Sequence, residues 1–392
     1  MKRFVLGLCG GVTIGYTLIR SREALAELRR PAIPLAADPA AYGALRRALM
    51  LGGIGRSFAA LAFAAFYTGP RLEQPTGTVE SRARRLALVG AALIGSTLLD
   101  LPGDFVEGFA LERRYGLSKQ EPGAWLAERA KGLGISVALT LPLVELLVLA
   151  IGRAPRRWPL AATLGTLPLL ILANIVAPTY IAPLFNSFEP IEGDLATDIR
   201  ALAARYGAGD ATILRVDMSR QTEKANAYVT GLLGTKRIVV GDTLIGPFAR
   251  AETLFVVAHE LGHYVARDVW RGVALALAAA ALTFFGGRAI ADRPERELAS
   301  TAGLLRLAFA FSLLGTLAGP LLAAFSRNRE RAADRFAIEA TGDASAGASA
   351  FRRLRERNLA EDEQPKWMEI LFASHPSLRS RIDALEAAAI SR

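Results

Sequence analysis

Val256-Val257-Ala258-His259-Glu260-Leu261-Gly262-His263-Tyr264 decides how the rest of the chain is read. Apolar residues flank it at helical spacing, which predicts one helix, and residues four apart share a helix face. His259 and His263 therefore project the same way. Two neutral imidazoles on adjacent turns can grip one Zn²⁺, while Glu260 between them reaches the water that the ion activates rather than the ion. The stretch predicts a hydrolytic centre with one Zn²⁺ per chain. The competing reading is a pair of core histidines on a buried helix. The whole chain has only three histidines, so this spacing with Glu after the first is an uncommon coincidence.

Outward from that helix, composition points to a membrane. The 392 residues allow one large domain or two ordinary ones, 52% of them are hydrophobic, and several long runs carry no charge. The formal charge is +10, which suits nucleic acid or anionic lipid. Arg82, Arg84 and Arg85, and again Arg153, Arg156 and Arg157, stand at the ends of apolar runs and form no stripe with interleaved aromatics. That placement predicts lipid contact and no nucleic-acid partner. Cys9 stands alone, which excludes a disulfide framework and a cysteine metal site.

Seven stretches are long and apolar enough, or nearly so, to cross a bilayer: 4–19, 49–67, 86–101, 133–151, 159–181, 269–291 and 303–325. The first follows Met1-Lys2-Arg3 in the manner of a signal peptide. No small-residue cleavage site follows it, so it is expected to stay as a membrane helix, a cleaved leader being the alternative. Arg56, Asp100, Glu145 and Asn174 are costly against lipid and should face a bundle interior or wet cavity, although Arg56 snorkelling and Asp100 at an interface is an equal alternative. Pro142 and Pro168 should kink their helices. Residues 104–118 read as a short amphipathic helix stopped by Gly116, and Glu121-Pro122 begins the next.

The carboxyl-terminal half adds a soluble layer. Helical spacing covers 195–206, and strands are expected at 212–218, 225–230 and 237–240, turning near Gly234-Thr235. An edge strand of such a sheet can pair with an extended peptide and present a bond to the metal. Asn226 opens that strand, with a turn asparagine as the competing reading. The expected architecture is mainly α and multi-pass, with a small β-sheet beside the zinc helix. Residues 1–185 would form an amino-terminal membrane region of about five helices, and 186–392 a catalytic region holding the last two spans, about 269–291 and 303–325.

Two histidines leave zinc short of a ligand, and a catalytic site takes a third from the protein. Glu330 and Asp334, four apart just after the last span, offer one: Glu330 to the metal, Asp334 to the Nδ1 proton of His259. An ordinary charged helix, paired to Arg327 or Arg331, is the other reading. The remaining histidine lies in Ser374-His375-Pro376-Ser377-Leu378, where a donor near the scissile carbonyl would stabilise an oxyanion. A helix-cap histidine ahead of Pro376 accounts for it equally.

Taken in order, Phe105-Val106-Glu107 with Tyr115-Gly116-Leu117, Pro183-Leu184-Phe185-Asn186, Asn226-Ala227-Tyr228, Asp242-Thr243-Leu244, His259-Glu260-x-x-His263, Glu330-x-x-x-Asp334 and Ser374-His375-Pro376 resemble the integral-membrane CAAX prenyl endopeptidases. These are zinc metalloproteases of the gluzincin type, and the match covers nearly the whole chain. The resemblance implies about seven membrane helices forming a barrel around a water-filled chamber with zinc at one end. It implies His259, His263 and Glu330 as zinc ligands, Glu260 as base, and Asn226 and His375 against the substrate backbone or oxyanion. Asp334 is an active-site residue on this likeness, often described as a proton donor, where the spacing argument makes it the orienter of His259. Ala227 and Arg381 complete the expected substrate-binding set. A peptide or protein substrate, membrane lipid as surroundings, and a bacterial inner or cell membrane as location follow. The alanine- and arginine-rich composition looks bacterial, where prenylated substrates are not expected. A membrane transporter or channel and a catalytically silent zinc-bound scaffold stand as alternatives.

Overall fold

A computed structural model describes residues 2–28, 38–75 and 78–390. Among them six helices are long and apolar enough to cross a membrane. They are α2 (Pro39–Leu72), α3 (Arg82–Arg114), α4 (Pro122–Arg153), α5 (Trp158–Leu184), α8 (Asp268–Ala291) and α9 (Thr301–Thr341). The first expected span is helical as well, α1 (Lys2–Leu28), and packs against α2 and α3. As little as 6% of a span's most apolar window is buried within the protein, so these side chains meet lipid or the interior space. Local chemistry starts them: Asp38 accepts from the Ala40 and Ala41 N–H at 3.0 and 3.1 Å, and Ser81 accepts from the Arg84 N–H at 3.3 Å.

The separate amphipathic helix expected over 104–118 is instead the end of α3. Pro102 lacks an N–H, yet the helix continues through a π-turn at Val106–Ala110, where the Val106 N–H donates to the carbonyls of Pro102 and Gly103. Gly116, at φ +69°, then stops it, and α4 begins at Pro122 as expected. Pro142 and Pro168 lie inside α4 and α5.

Polar groups within the spans find partners. Arg56 is buried and ion-paired with Asp100 of the neighbouring helix. Arg85 grips Glu145 with two hydrogen bonds of 2.8 Å, and Asn174 donates to its own helix at Leu170 at 2.8 Å. In low dielectric such groups persist when each lone charge is matched.

Beyond the membrane helices, β1 (Phe188–Pro190), β2 (Thr212–Val216), β3 (Ala227–Thr230) and β4 (Arg237–Gly241) form one sheet in the order β1-β2-β4-β3. β2 runs parallel to β4, and the two outer strands run antiparallel to their neighbours. β1 was not expected: three residues ending in proline carry no alternation to read. β3 is an edge strand. Its inner side packs on α7 (Arg250–Val265), and Ile213, Ile238, Val240, Phe255, Val257 and Leu261 belong to one buried core. The helices α6 (Gly193–Arg205), α10 (Ala344–Arg357), α11 (Lys366–Leu371) and α12 (Leu378–Ile390) complete this layer.

Candidate metal centre

The core dictates where α7 sits. Phe255, Val256, Val257, Ala258 and Leu261 are all buried, and on the remaining face His259 and Glu260, with Val256 beside them, line a cavity of about 620 Å³. Glu252 fixes the start of the helix. It accepts from the Ala249 N–H at 2.7 Å and, through its other oxygen, from Ser349 at 2.5 Å and Arg353 at 3.0 Å on α10. Gly262 brings α7 against α9: a Cβ there would lie 3.1 Å from the Phe336 ring and 3.2 Å from the Ala333 Cα. This close crossing puts Glu330, one turn before Ala333, opposite the two histidines.

Both imidazoles aim Nε2 at one carboxylate. His259 Nε2 lies 3.3 Å from Glu330 Oε2, and His263 Nε2 lies 3.3 Å from Glu330 Oε1. One donor atom from each of the three falls within 4.8 Å of the others, the arrangement of a metal site. Glu330 is 5% exposed and its Oε2 is buried without a hydrogen-bond partner. A buried carboxylate oxygen without a hydrogen bond is unfavourable, and a cation at this point would satisfy it. The donor set and this oxygen fit a divalent metal.

The far side of each ring is also held. His259 Nδ1 lies 2.8 Å from Asp334 Oδ1, and His263 Nδ1 lies 2.9 Å from Asp268 Oδ2. Each carboxylate accepts an Nδ1–H and so leaves Nε2 for the metal. Asp268 was missed by sequence reasoning. It follows His263 by five residues across the break at Arg267, whose φ of +56° turns the chain from α7 into α8. It accepts from Arg329 Nε at 2.7 Å as well, so one carboxylate ties α7, α8 and α9 together. Burial alone would lower the His259 imidazole, but the bonds to Asp334 and Glu330 reverse this and raise it to about 9. His263 is raised in the same way. A metal entering this site must therefore displace protons. Burial raises the Glu260 carboxyl above the ordinary range.

His375 reaches the same carboxylate from a loop: its Nε2 is 3.4 Å from Glu330 Oε1, and its Nδ1 is 2.8 Å from Ser374 Oγ. Its side chain stays 60% exposed toward the cavity, which Asn226 and Ala227 line from the start of β3. Arg381, expected at the substrate, also lines the cavity wall, but its guanidinium is committed elsewhere. Nε and Nη2 donate to the two oxygens of Asp334 at 2.9 and 2.6 Å, with Nη1 3.4 Å from Glu330 Oε2. It is 8% exposed and holds Asp334 against His259.

The model of peptidase family M48 matches residues 191–389, and that of the CAAX prenyl protease N-terminal region, described by five membrane helices, matches residues 47–187. A Bacillus subtilis protein described as the uncharacterized metalloprotease YhfN is 32% identical over 320 residues, covering 77% of this chain and 74% of its own. The CAAX prenyl protease 1 homolog of Oryza sativa is 31% identical over 317 residues, covering 77% and 73%. The crystal structure of S. mikatae Ste24p shares the fold, with a TM-score of 0.72 at 22% identity over 97% of this chain and 98% of that one.

Proposed function

The chain belongs to peptidase family M48 and is a multi-pass membrane metalloprotease, and we propose that its metal is one Zn²⁺ held by His259, His263 and Glu330, with Glu260 as the general base. The observation that carries the assignment is the convergence of two Nε2 atoms on the one carboxylate whose buried Oε2 has no hydrogen bond. Borderline-soft zinc suits two imidazoles and a carboxylate. When bound, it supplies Lewis-acid polarisation of the scissile carbonyl and a water acidic enough to attack near neutral pH.

The chain's own groups do the rest. Glu260 takes a proton from the attacking water and delivers it to the leaving amine. His375, exposed toward the cavity, donates to the oxyanion of the tetrahedral intermediate. Asn226 and Ala227 open the edge strand β3, so an extended substrate adds to the sheet there with its peptide bond beside α7. Asp334 and Asp268 fix the two tautomers, and Arg381 is a positioning residue that acts through Asp334. The catalytic region is taken to span 186–392 and the membrane region 1–185; the two family matches, which meet between 187 and 191, support that division.

Glu260→Gln tests the roles. Purified in detergent, it should keep its metal and lose about 10³-fold in peptide cleavage, within the usual range for a general base. Cleavage at the unsubstituted rate contradicts the assignment.

A further inference from the structure

The open side of the edge strand β3 is not uniform. Gly241 on β4 donates its N–H to the Asn226 carbonyl at 2.9 Å. In an antiparallel pair the backbone groups of successive residues point to alternate sides. Asn226 and Tyr228 therefore turn theirs to β4, while Ala225, Ala227 and Val229 turn theirs outward. Among the described residues nothing bonds to the outward N–H and carbonyl of Ala227 and Val229. Ala225 differs. The Asn358 side chain accepts from its N–H at 2.9 Å and donates to its carbonyl at 3.3 Å. One primary amide thus fills the place that a residue of an added strand would take.

Both partners in this contact are held. Asn358 ends α10, its own N–H donating to the Leu354 carbonyl at 3.0 Å. The next residue, Leu359, adopts a left-handed conformation at φ +47°, which is costly for a leucine. Burial keeps it there: Leu359 is 6% exposed and packs with Tyr42, Leu111 and Tyr115 of the membrane region. The segment ahead of Ala225 is fixed too, because the Glu223 N–H donates to the Leu117 carbonyl at 2.8 Å and Thr243 donates to the Lys224 carbonyl at 2.9 Å. Asn358 and Ala225 both line the cavity over the metal centre.

We propose that Asn358 is an edge stop: by taking both outward groups of Ala225 it limits backbone pairing of a substrate to Ala227 and Val229, and it turns the peptide out of the sheet at Ala225. The inference rests on the peptidase reading and on strand addition at β3. An added strand bonds to every second residue of the edge that it joins, so without Asn358 the ladder would run on to Ala225. With it, the next residue of the peptide finds those partners taken. Asn358 touches no reacting atom. It is a positioning residue that acts through the Ala225 backbone.

The test uses the full-length metal-loaded enzyme and one peptide in which single backbone N–H groups, outside the cleaved bond, are replaced in turn by an ester oxygen. Each replacement that removes a bond to β3 should lower kcat/KM roughly three- to tenfold, the worth of one hydrogen bond. The unsubstituted enzyme should show two sensitive positions, two residues apart. Asn358→Ala should add a third, two residues further along, because it frees the Ala225 carbonyl. A merely structural role for Asn358 would change the overall rate and leave the pattern as it was. A third position of this alternation in the unsubstituted enzyme, or no new one in folded Asn358→Ala, overturns the proposal. Asn358→Ser, short and still polar, is the second variant, and metal content with thermal unfolding identifies a folded protein. If neither variant folds, the scan of the unsubstituted enzyme decides between two positions, which support the stop, and three, which overturn it. Cleavage with no sensitive position means no strand addition, which overturns the proposal and leaves the peptidase reading intact. If no peptide is cleaved, the peptidase reading fails instead. Anisotropy of the same labelled peptides then counts the sensitive positions, and a third on the unsubstituted protein overturns the edge stop as well.

Discussion

Two buried clusters of charge in this molecule use similar residues and end differently. In the membrane region Arg85 and Glu145 close on each other through two bonds of 2.8 Å. At the other, Glu330 receives three imidazoles and a guanidinium at 3.3 to 3.4 Å, and its Oε2 still has no hydrogen bond. The first cluster is complete without a ligand, so it stabilises and aligns α3 and α4. The second is complete only with a cation. Satisfied polar pairs in a low-dielectric setting hold a fold together, and one left open marks where a ligand is expected.

The comparison can be broken at either cluster. Glu145→Gln removes one partner and leaves Arg85 buried with its charge unmatched, which should cost on the order of 3 kcal/mol. Thermal unfolding in detergent should report the loss, while metal content per folded molecule stays near one; loss of metal with unchanged stability would reverse the roles of the two clusters. Asp334→Asn should act oppositely, leaving the membrane helices stable but weakening metal affinity by up to about 100-fold, because it frees both His259 Nδ1 and Arg381. Asp268→Asn loosens only His263, which is 24% exposed against 6% for His259, and should cost less, about tenfold. Competition with a chelator of known affinity measures both. The smallest signal is protonic: with His259 raised to about 9 in the metal-free protein, metal uptake at pH 7 should release protons to an indicator dye, and affinity should weaken as pH falls.

How much of this was legible in the chain depended on whether a partner lay within one element. His259, Glu260 and His263 share one helix, and Glu330 and Asp334 share another, so spacing placed each set on a face. The membrane class followed from run length. The strands at 212–216, 227–230 and 237–241 stand close to where alternation put them. What escaped depended on joins between elements. Asp268 reaches His263 only because Arg267 adopts a left-handed conformation, and no helical period connects positions five apart across a break. Arg381 meets Asp334 from 47 residues away, a contact that no local pattern announces. The continuation of α3 past Pro102 and through the π-turn at Val106–Ala110 joins what run length ended at 101 to what spacing read as a separate helix over 104–118.

The most direct test is metal stoichiometry by elemental analysis of the purified protein beside Glu330→Gln. One zinc per chain in the unsubstituted protein and almost none in the variant, with peptide cleavage lost in parallel, is the predicted result. Full zinc retention in Glu330→Gln would contradict the account, because the carboxylate on which both imidazoles converge would then not be holding the ion.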